Sequence, residues 1–130
     1  MTIFIKRIYA PAAVNDGWRV LVDPLWPRRV RREETALDHR LKEIAPPAEL
    51  RRWFGHELDK WPEFSARYRA ELTALRQRQP QVLAELRRHM ASGNITLLFA
   101  ARDCEHNQAV VLKAWLEDEL AGSARADFAT

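Results

Sequence analysis

The stretch Ile95-Thr-Leu-Leu-Phe-Ala-Ala-Arg-Asp-Cys-Glu-His-Asn-Gln-Ala-Val-Val-Leu112 decides the predicted fold. Residues 95–101 form an apolar run that predicts a buried strand, and an amphipathic helical pattern begins at about Glu105. Polar residues 103–107 lie between the two. A buried strand that ends in polar groups at the start of a helix is a common way for an α/β protein to build a site. The junction therefore indicates where a site lies, without naming a reaction.

Two more strands are predicted before this junction. Residues 3–9 are rich in β-branched and aromatic side chains, and residues 18–23 form a second strand that ends at Pro24. The continuous apolar runs at 19–22 and 95–101 are typical of central strands that are covered on both faces. Connections through helices predict parallel pairing, so segment 23–29 is expected beside segment 103–107 at the carboxyl ends of the strands.

About five helices are predicted around this sheet. A short helix is expected over 33–41, another begins at Pro46-Pro47 and ends near Gly55, and a third begins at Asp59 as N-cap with Pro62 in its first turn. The last two run from Pro80 to Gly93 and from about 105 to 120. The predicted fold class is thus α/β, a single domain with a small, mostly parallel sheet of about three to four strands flanked by about five helices.

Length and composition predict one ordinary globular domain. The chain has 130 residues, of which 1–120 are expected to form the domain and 121–130, which carry no periodicity, a flexible C-terminal tail. The apolar runs are far shorter than the roughly 20 residues that span a bilayer, and the N-terminus does not resemble a signal peptide. A single cysteine, Cys104, excludes an internal disulfide. We therefore expect a cytoplasmic protein without a membrane partner.

Arginine is unevenly distributed along the chain. The formal net charge is only +3, yet Arg28, Arg29, Arg31 and Arg32 fall within five positions, and further arginines follow at residues 51–88. Guanidinium groups favour bidentate contacts with phosphates and carboxylates. Arginine is also a good helix former, so the alternative to an anion-binding surface is that these arginines lie on solvated helix faces.

The first group of candidate site residues follows the second strand. Asp23, Trp26, Arg28 and Arg29 are predicted to bind a ligand, with Arg28 supplying paired donors to an anion. In the alternative interpretation, Asp23 caps the turn and the arginines are solvated.

The second group combines residues of the junction with His56, which follows Trp53, Phe54 and Gly55. Asn107 is predicted to bind a ligand beside the amide groups of the helix start, while His106, His56 and Asp103 are the candidates for acid–base catalysis. Alternatively, Asp103 caps the last helix and His56 caps its own. Catalysis by Cys104 is disfavoured, because a nucleophilic thiol needs a base at hydrogen-bond distance.

Several familiar binding motifs are absent from the sequence. It contains no glycine-rich dinucleotide loop, phosphate loop, zinc-binding cysteine pair or nucleophile-elbow serine. The four histidines show no helical ligand spacing. We therefore predict no cofactor and no metal.

Four motifs in order resemble the YeaO-like family, catalogued as domain of unknown function 488. They are residues 19–28, 53–56, 64–72 and 97–107, within a likeness that covers roughly residues 3–120. The resemblance implies a small cytoplasmic bacterial α/β protein with no established reaction. It carries over Asp23, Trp26, Pro27, Arg28, Trp53, Gly55, His56, Asp103, His106 and Asn107.

This chain departs from the family pattern at three positions. The family usually has arginine where Pro24 stands, glycine where Arg29 stands, and an acidic or otherwise polar residue where Cys104 stands. If the missing arginine contacts a ligand in the family, Arg28 or Arg29 must replace it here, or the site is weakened.

The leading functional hypothesis is a crevice that binds a small anionic or phosphorylated ligand, with histidine-assisted acid–base chemistry as an extension that would make the protein an enzyme. The alternative is a nucleic-acid-binding protein that uses the arginine-rich segment 28–32, although no nucleic-acid motif supports it and interleaved glutamates weaken the patch. A structural interaction partner is a third reading, for which exposed aromatic residues would be the indicator.

Overall fold

A computed structural model describes residues 2–129 of the chain, with side chains through Leu120. Within this range the sheet has four strands, β1 (Ile3–Arg7), β2 (Trp18–Leu21), β3 (His39–Arg40) and β4 (Ile95–Phe99). Their spatial order is β1-β4-β2-β3, and every neighbouring pair is parallel. The predicted α/β class and its small parallel sheet are therefore confirmed.

The same residues 2–129 form four α-helices rather than about five. They are α1 (Ala48–Phe54), α2 (Trp61–Arg78), α3 (Pro80–Ser92) and α4 (Gln108–Ala129). Each of α2 and α3 carries a proline in its first turn, where the missing N–H costs no intrahelical hydrogen bond. None of the helices in this part of the chain is long and apolar enough to cross a membrane.

The predicted helix over 33–41 is wrong. Only Arg32–Glu34 form a single 3-10 turn, and His39–Arg40 pair with β2 as strand β3. Arg19 of β2 explains the difference, because its guanidinium donates hydrogen bonds to the carbonyl oxygens of Thr35 and Ala36. Those carbonyl groups would otherwise bond within a helix, and a helix this short gains little from local propensity alone.

The helices cover one face of the sheet and a loop covers the other. Ile95, Leu97 and Phe99 of β4 join the main core, which contains the buried side chains of α1 to α4. Leu98 points to the opposite face, where it packs with Ile8 and Leu21 under residues of the loop 26–37. Both faces of the central strands are thus buried, as the continuous apolar runs predict.

Helix α2 presents a stripe of core residues that recur at spacings of three and four in the sequence. Phe64, Tyr68, Leu72 and Leu75 are buried, and Trp61 is half-buried against the same core. The predicted N-cap at Asp59 is wrong, since Asp59 lies within a 3-10 turn, Leu58–Lys60, that runs directly into α2 at Trp61.

The carboxyl ends of the strands meet at one edge of the sheet, which we call the strand-end edge. The prediction that the segments after β2 and β4 are neighbours is correct at Asp23, whose Oδ2 accepts a hydrogen bond from the Ala100 N–H at 2.9 Å. Helix α4 begins at Gln108 and not at about Glu105. It continues to Ala129 and so includes most of the segment 121–130, for which flexibility stays a prediction.

Candidate functional site at the strand-end edge

Asp23 is the most buried carboxylate of this edge. Its side chain is only 9% exposed, and it accepts hydrogen bonds from the Ala100 backbone N–H and from the Gln108 side-chain amide. Burial raises the pKa of Asp23 above its usual value, although both hydrogen bonds and the charge of Arg51 act in the opposite direction. These two hydrogen bonds connect the segment after β2 to the end of β4 and to the start of α4. Asp23 therefore does more than cap its own turn, which was the alternative interpretation.

A pocket of about 320 Å³ opens beside Asp23, and we call it the strand-end pocket. Its walls come from the segments after β2 and β4, from α1 and from the starts of α2 and α4. The lining residues are Asp23, Pro24, Arg51, Arg52, Phe54, His56, Phe64, Ala101, Asn107 and Gln108. Three of the predicted site residues, Asp23, His56 and Asn107, therefore line one pocket.

Two arginines of α1 supply the positive charge of this pocket. Arg51 is half-buried and donates from its Nε to the Pro46 carbonyl oxygen at 3.2 Å, while Arg52 is exposed. Sequence reasoning noted both residues only as part of the arginine bias. Their position in the sequence could have indicated a role, because they directly precede the motif 53–56, whose last residue, His56, lines the same pocket.

Asn107 serves chiefly as the N-cap of α4. Its side chain is 1% exposed; its Oδ1 accepts the N–H groups of Ala109 and Val110 at 2.9 and 3.2 Å, and its Nδ2 donates to the Asp103 carbonyl oxygen at 2.8 Å. The alternative reading, in which Asp103 caps α4, is wrong because Asn107 caps that helix. The Asn107 side-chain amide and the N–H groups of Ala109 and Val110 are therefore already hydrogen-bonded within the chain. Arg51 and Arg52 are thus the main donors left for an anion.

Asp103 and His106 form a second polar unit in the turn before α4. Asp103 Oδ1 accepts the N–H groups of Glu105 and His106 at 2.9 and 3.0 Å, and its Oδ2 lies 3.0 Å from His106 Nδ1. The hydrogen bond from the Glu105 backbone N–H is the main cause that lowers the pKa of Asp103. The hydrogen bonds from His106 and the charge of its ring lower it further. The His106 ring meets Trp61 edge to face, with ring centroids 5.2 Å apart. His106 is therefore oriented, although it does not line the strand-end pocket described above.

His56 links that pocket to a neighbouring depression. It follows Gly55, and both residues adopt the left-handed conformation, with φ of 53° at Gly55 and 59° at His56. A side chain in this conformation costs free energy, so the turn fixes the position of His56 at the expense of local strain. His56 also lines a shallow depression of about 450 Å³ together with Leu58, Arg102 and Asp103.

The other predicted ligand-binding residues lie outside the strand-end pocket. Trp26 donates from its indole N–H to the Val30 carbonyl oxygen at 2.8 Å and packs over Leu21, Leu98 and Ile8. Arg28 and Arg29 are exposed and belong to the loop on that opposite face. A binding role for these three residues stays a prediction.

Arg29 has a left-handed backbone, with φ of 61°. Glycine adopts this conformation without steric cost, which is a physical reason for the glycine that the family resemblance implies at this position.

The other two departures from the family pattern are Pro24 and Cys104. Pro24 lines the strand-end pocket, and an arginine at that position would add a third guanidinium to its rim. The exposed Cys104 makes a weak hydrogen bond from its Sγ to the Arg102 carbonyl oxygen at 3.8 Å.

No group of three or more His, Cys, Asp or Glu side chains converges as a metal site within the described part of the chain. The polar side chains that line the strand-end pocket supply two guanidinium groups, a buried carboxylate, two amides and the imidazole of His56.

A family model described as "Inactive DUF488-N3 subclade" matches residues 2–129. The chain belongs to the YeaO-like DUF488 family. It is 40% identical over 116 residues to the uncharacterized protein YeaO of Escherichia coli (strain K12), covering 89% of this chain and 97% of YeaO. It is 34% identical over 108 residues to the uncharacterized protein Rv3073c of Mycobacterium tuberculosis (strain H37Rv), covering 83% and 87% of the two chains. No solved structure matches the chain.

Proposed function

We propose that this DUF488 protein binds a small anionic or phosphorylated ligand in the strand-end pocket. The observation that carries the proposal is the convergence of Arg51 and Arg52 on a concave site at the carboxyl ends of parallel strands. Guanidinium groups are the donors best suited to oxyanions, because their paired N–H groups match carboxylate and phosphate geometry.

The walls and the size of the pocket fit a small metabolite. Phe54 and Phe64 are buried and stacked, with ring centroids 4.3 Å apart, and both line the pocket. An apolar wall with a few charged groups is the usual composition of a ligand site. A volume of about 320 Å³ lies at the lower end of the range for such sites, which favours a ligand of amino-acid size.

We propose binding without turnover. The description of the matching family model calls its subclade inactive, and His106, the histidine that Asp103 orients, does not line the pocket wall. His56 would then contact the ligand without transferring a proton. The competing outcome is chemical turnover of the bound ligand, assisted by His56 or by the Asp103–His106 pair. In that case the variants His56→Gln and His106→Gln would still bind the ligand but would lose the rate of its turnover.

The test measures thermal stabilisation by inorganic phosphate and by short carboxylates at constant ionic strength. At a ligand concentration ten times the Kd, one bound ligand stabilises the fold by about 1.4 kcal/mol, or about 5 °C in Tm for a chain of this length. We expect the shift to vanish in the double variant Arg51→Gln, Arg52→Gln. Arg88→Gln is the matched control, because Arg88 is exposed on α3, which leads into the amino end of β4.

Arg28→Gln provides a second comparison. If the shift survives in the Arg51, Arg52 double variant and disappears in Arg28→Gln, the ligand binds on the opposite loop and the proposed pocket is wrong. If no oxyanion stabilises the wild-type protein, the proposed function itself is wrong.

A nucleic-acid partner remains the second candidate because Arg28, Arg29, Arg31 and Arg32 are all exposed. It predicts an affinity for oligonucleotides that falls steeply with added salt and is reduced by neutralising these four residues. Binding that is weak at low salt and unaffected by the substitutions would contradict it.

The cytoplasmic location expected from the sequence is likewise a proposal, which cell fractionation checks.

A further inference from the structure

We infer that the ligand of the strand-end pocket is a zwitterion, with an ammonium group bound by Asp23 and an oxyanion bound by Arg51 and Arg52. The inference rests on the proposed function and adds the chemical class of the ligand. It starts from an imbalance in the pocket, where an anion would lie beside a buried carboxylate as well as two guanidinium groups.

Asp23 has acceptor capacity left for a ligand. Each carboxylate oxygen has two acceptor directions, and the structure uses one on each, for the Ala100 N–H on Oδ2 and for the Gln108 amide on Oδ1. These two donors also fix the orientation of the carboxylate towards β4 and α4. An ammonium group, which has three donors and no acceptor, complements the remaining directions.

The charges of the pocket favour a ligand with both signs. A simple anion near Arg51 and Arg52 gains attraction but meets repulsion from Asp23, and a simple cation meets the reverse. A ligand that carries an ammonium and an oxyanion satisfies both, and the low polarity of the Phe54 and Phe64 wall strengthens each attraction. The pocket thus suits an α-amino acid with an apolar side chain or a small phosphorylated amine.

Matched compounds separate these elements by calorimetry on the intact protein. L-Phenylalanine is compared with 3-phenylpropionate, which lacks the ammonium, and with 2-phenylethylamine, which lacks the carboxylate. O-Phosphoethanolamine is compared with ethyl phosphate in the same way, so that the two arms distinguish a carboxylate from a phosphate zwitterion. We expect one zwitterion to bind roughly tenfold or more tightly than its partners that lack one charge, which is the scale of a charge-assisted hydrogen bond.

Asp23→Asn gives the second readout. Asparagine keeps the shape and an oxygen for the Ala100 N–H but loses the negative charge. We expect the zwitterion to bind roughly tenfold more weakly to this variant, and the corresponding anion to bind as well as or better than before. Circular dichroism verifies that the variant is folded, and the wild-type comparison of matched compounds stands without it.

The outcomes separate the two claims. If 3-phenylpropionate and ethyl phosphate each bind as tightly as the corresponding zwitterion, the zwitterion inference is overturned while oxyanion binding by Arg51 and Arg52 stands. If neither the zwitterions nor inorganic phosphate bind, both are overturned.

Discussion

Replacing Arg29 by glycine is expected to stabilise the protein. Arg29 is exposed and has φ of 61°, so its side chain contributes little packing while its backbone occupies the left-handed region. A residue with a Cβ is destabilised by about 1–2 kcal/mol in this region, and glycine removes that strain. Glycine also loses more conformational entropy on folding, which offsets about 0.5–1 kcal/mol of the gain in stability.

The net gain is therefore about 0.5–1 kcal/mol in the free energy of unfolding, which corresponds to about 2–4 °C in Tm for 130 residues. Urea denaturation followed by tryptophan fluorescence, together with a thermal melt, measures both quantities.

Two control variants separate backbone strain from charge. Arg29→Ala removes the same charge and keeps the strain, so its stability should stay close to that of the wild type. Arg28→Gly introduces glycine at the neighbouring exposed position, which does not have a positive φ, and should lower stability by up to about 1 kcal/mol. If Arg29→Ala stabilises the protein as much as Arg29→Gly, repulsion within the arginine-rich loop is the cause and the strain argument is refuted.

Three further predictions follow from contacts around the core and the pocket. Asn107→Ala removes the N-cap of α4 and should cost about 1–2 kcal/mol in urea denaturation, and a cost near zero would mean that α4 needs no cap. Tyr68→Phe should cost about 1 kcal/mol, because the buried hydroxyl donates to the Ile44 carbonyl oxygen at 2.6 Å; an unchanged stability would show that this bond adds nothing. Because the folded-state pKa of Asp23 is raised above 3.8, its contribution to stability is greatest at low pH and is lost as pH rises through the folded pKa. The stability of the wild type relative to Asp23→Asn should accordingly fall as pH rises above about 4, and a rise would contradict the burial argument.

The sequence predicts those parts of the fold that depend on local patterns. The apolar runs of β2 and β4 and the stripe of Phe64, Tyr68 and Leu72 on α2 are readable because their periodicity reflects burial directly. Asp23 and Asn107 could be placed near one edge because parallel strands bring their carboxyl ends together. His56 follows a helix, so this argument did not place it.

The parts that failed depend on contacts between distant residues. Strand β3 exists because Arg19 and β2 capture the chain between Thr35 and Arg40, a pairing with no local signature. The sequence offered Asp103 as the alternative cap of α4, although Asn107 is the residue that caps it. Both are good capping residues, and only the exact start of α4 decides between them.

The pocket arginines were missed for a related reason. A cluster such as 28–32 is conspicuous in the sequence, whereas Arg51 and Arg52 are an ordinary pair on a short helix. Only the packing of α1 against the start of α2, through Phe54 and Phe64, brings that pair to Asp23.

Binding of an oxyanion between Asp23 and α1 can be followed by ¹H–¹⁵N NMR during a phosphate titration. We expect the amide signals of Ala101 and Gln108 and the Nε–H signals of Arg51 and Arg52 to shift together and to saturate. Signals that move only within residues 28–32, or no saturable shift anywhere, would contradict it.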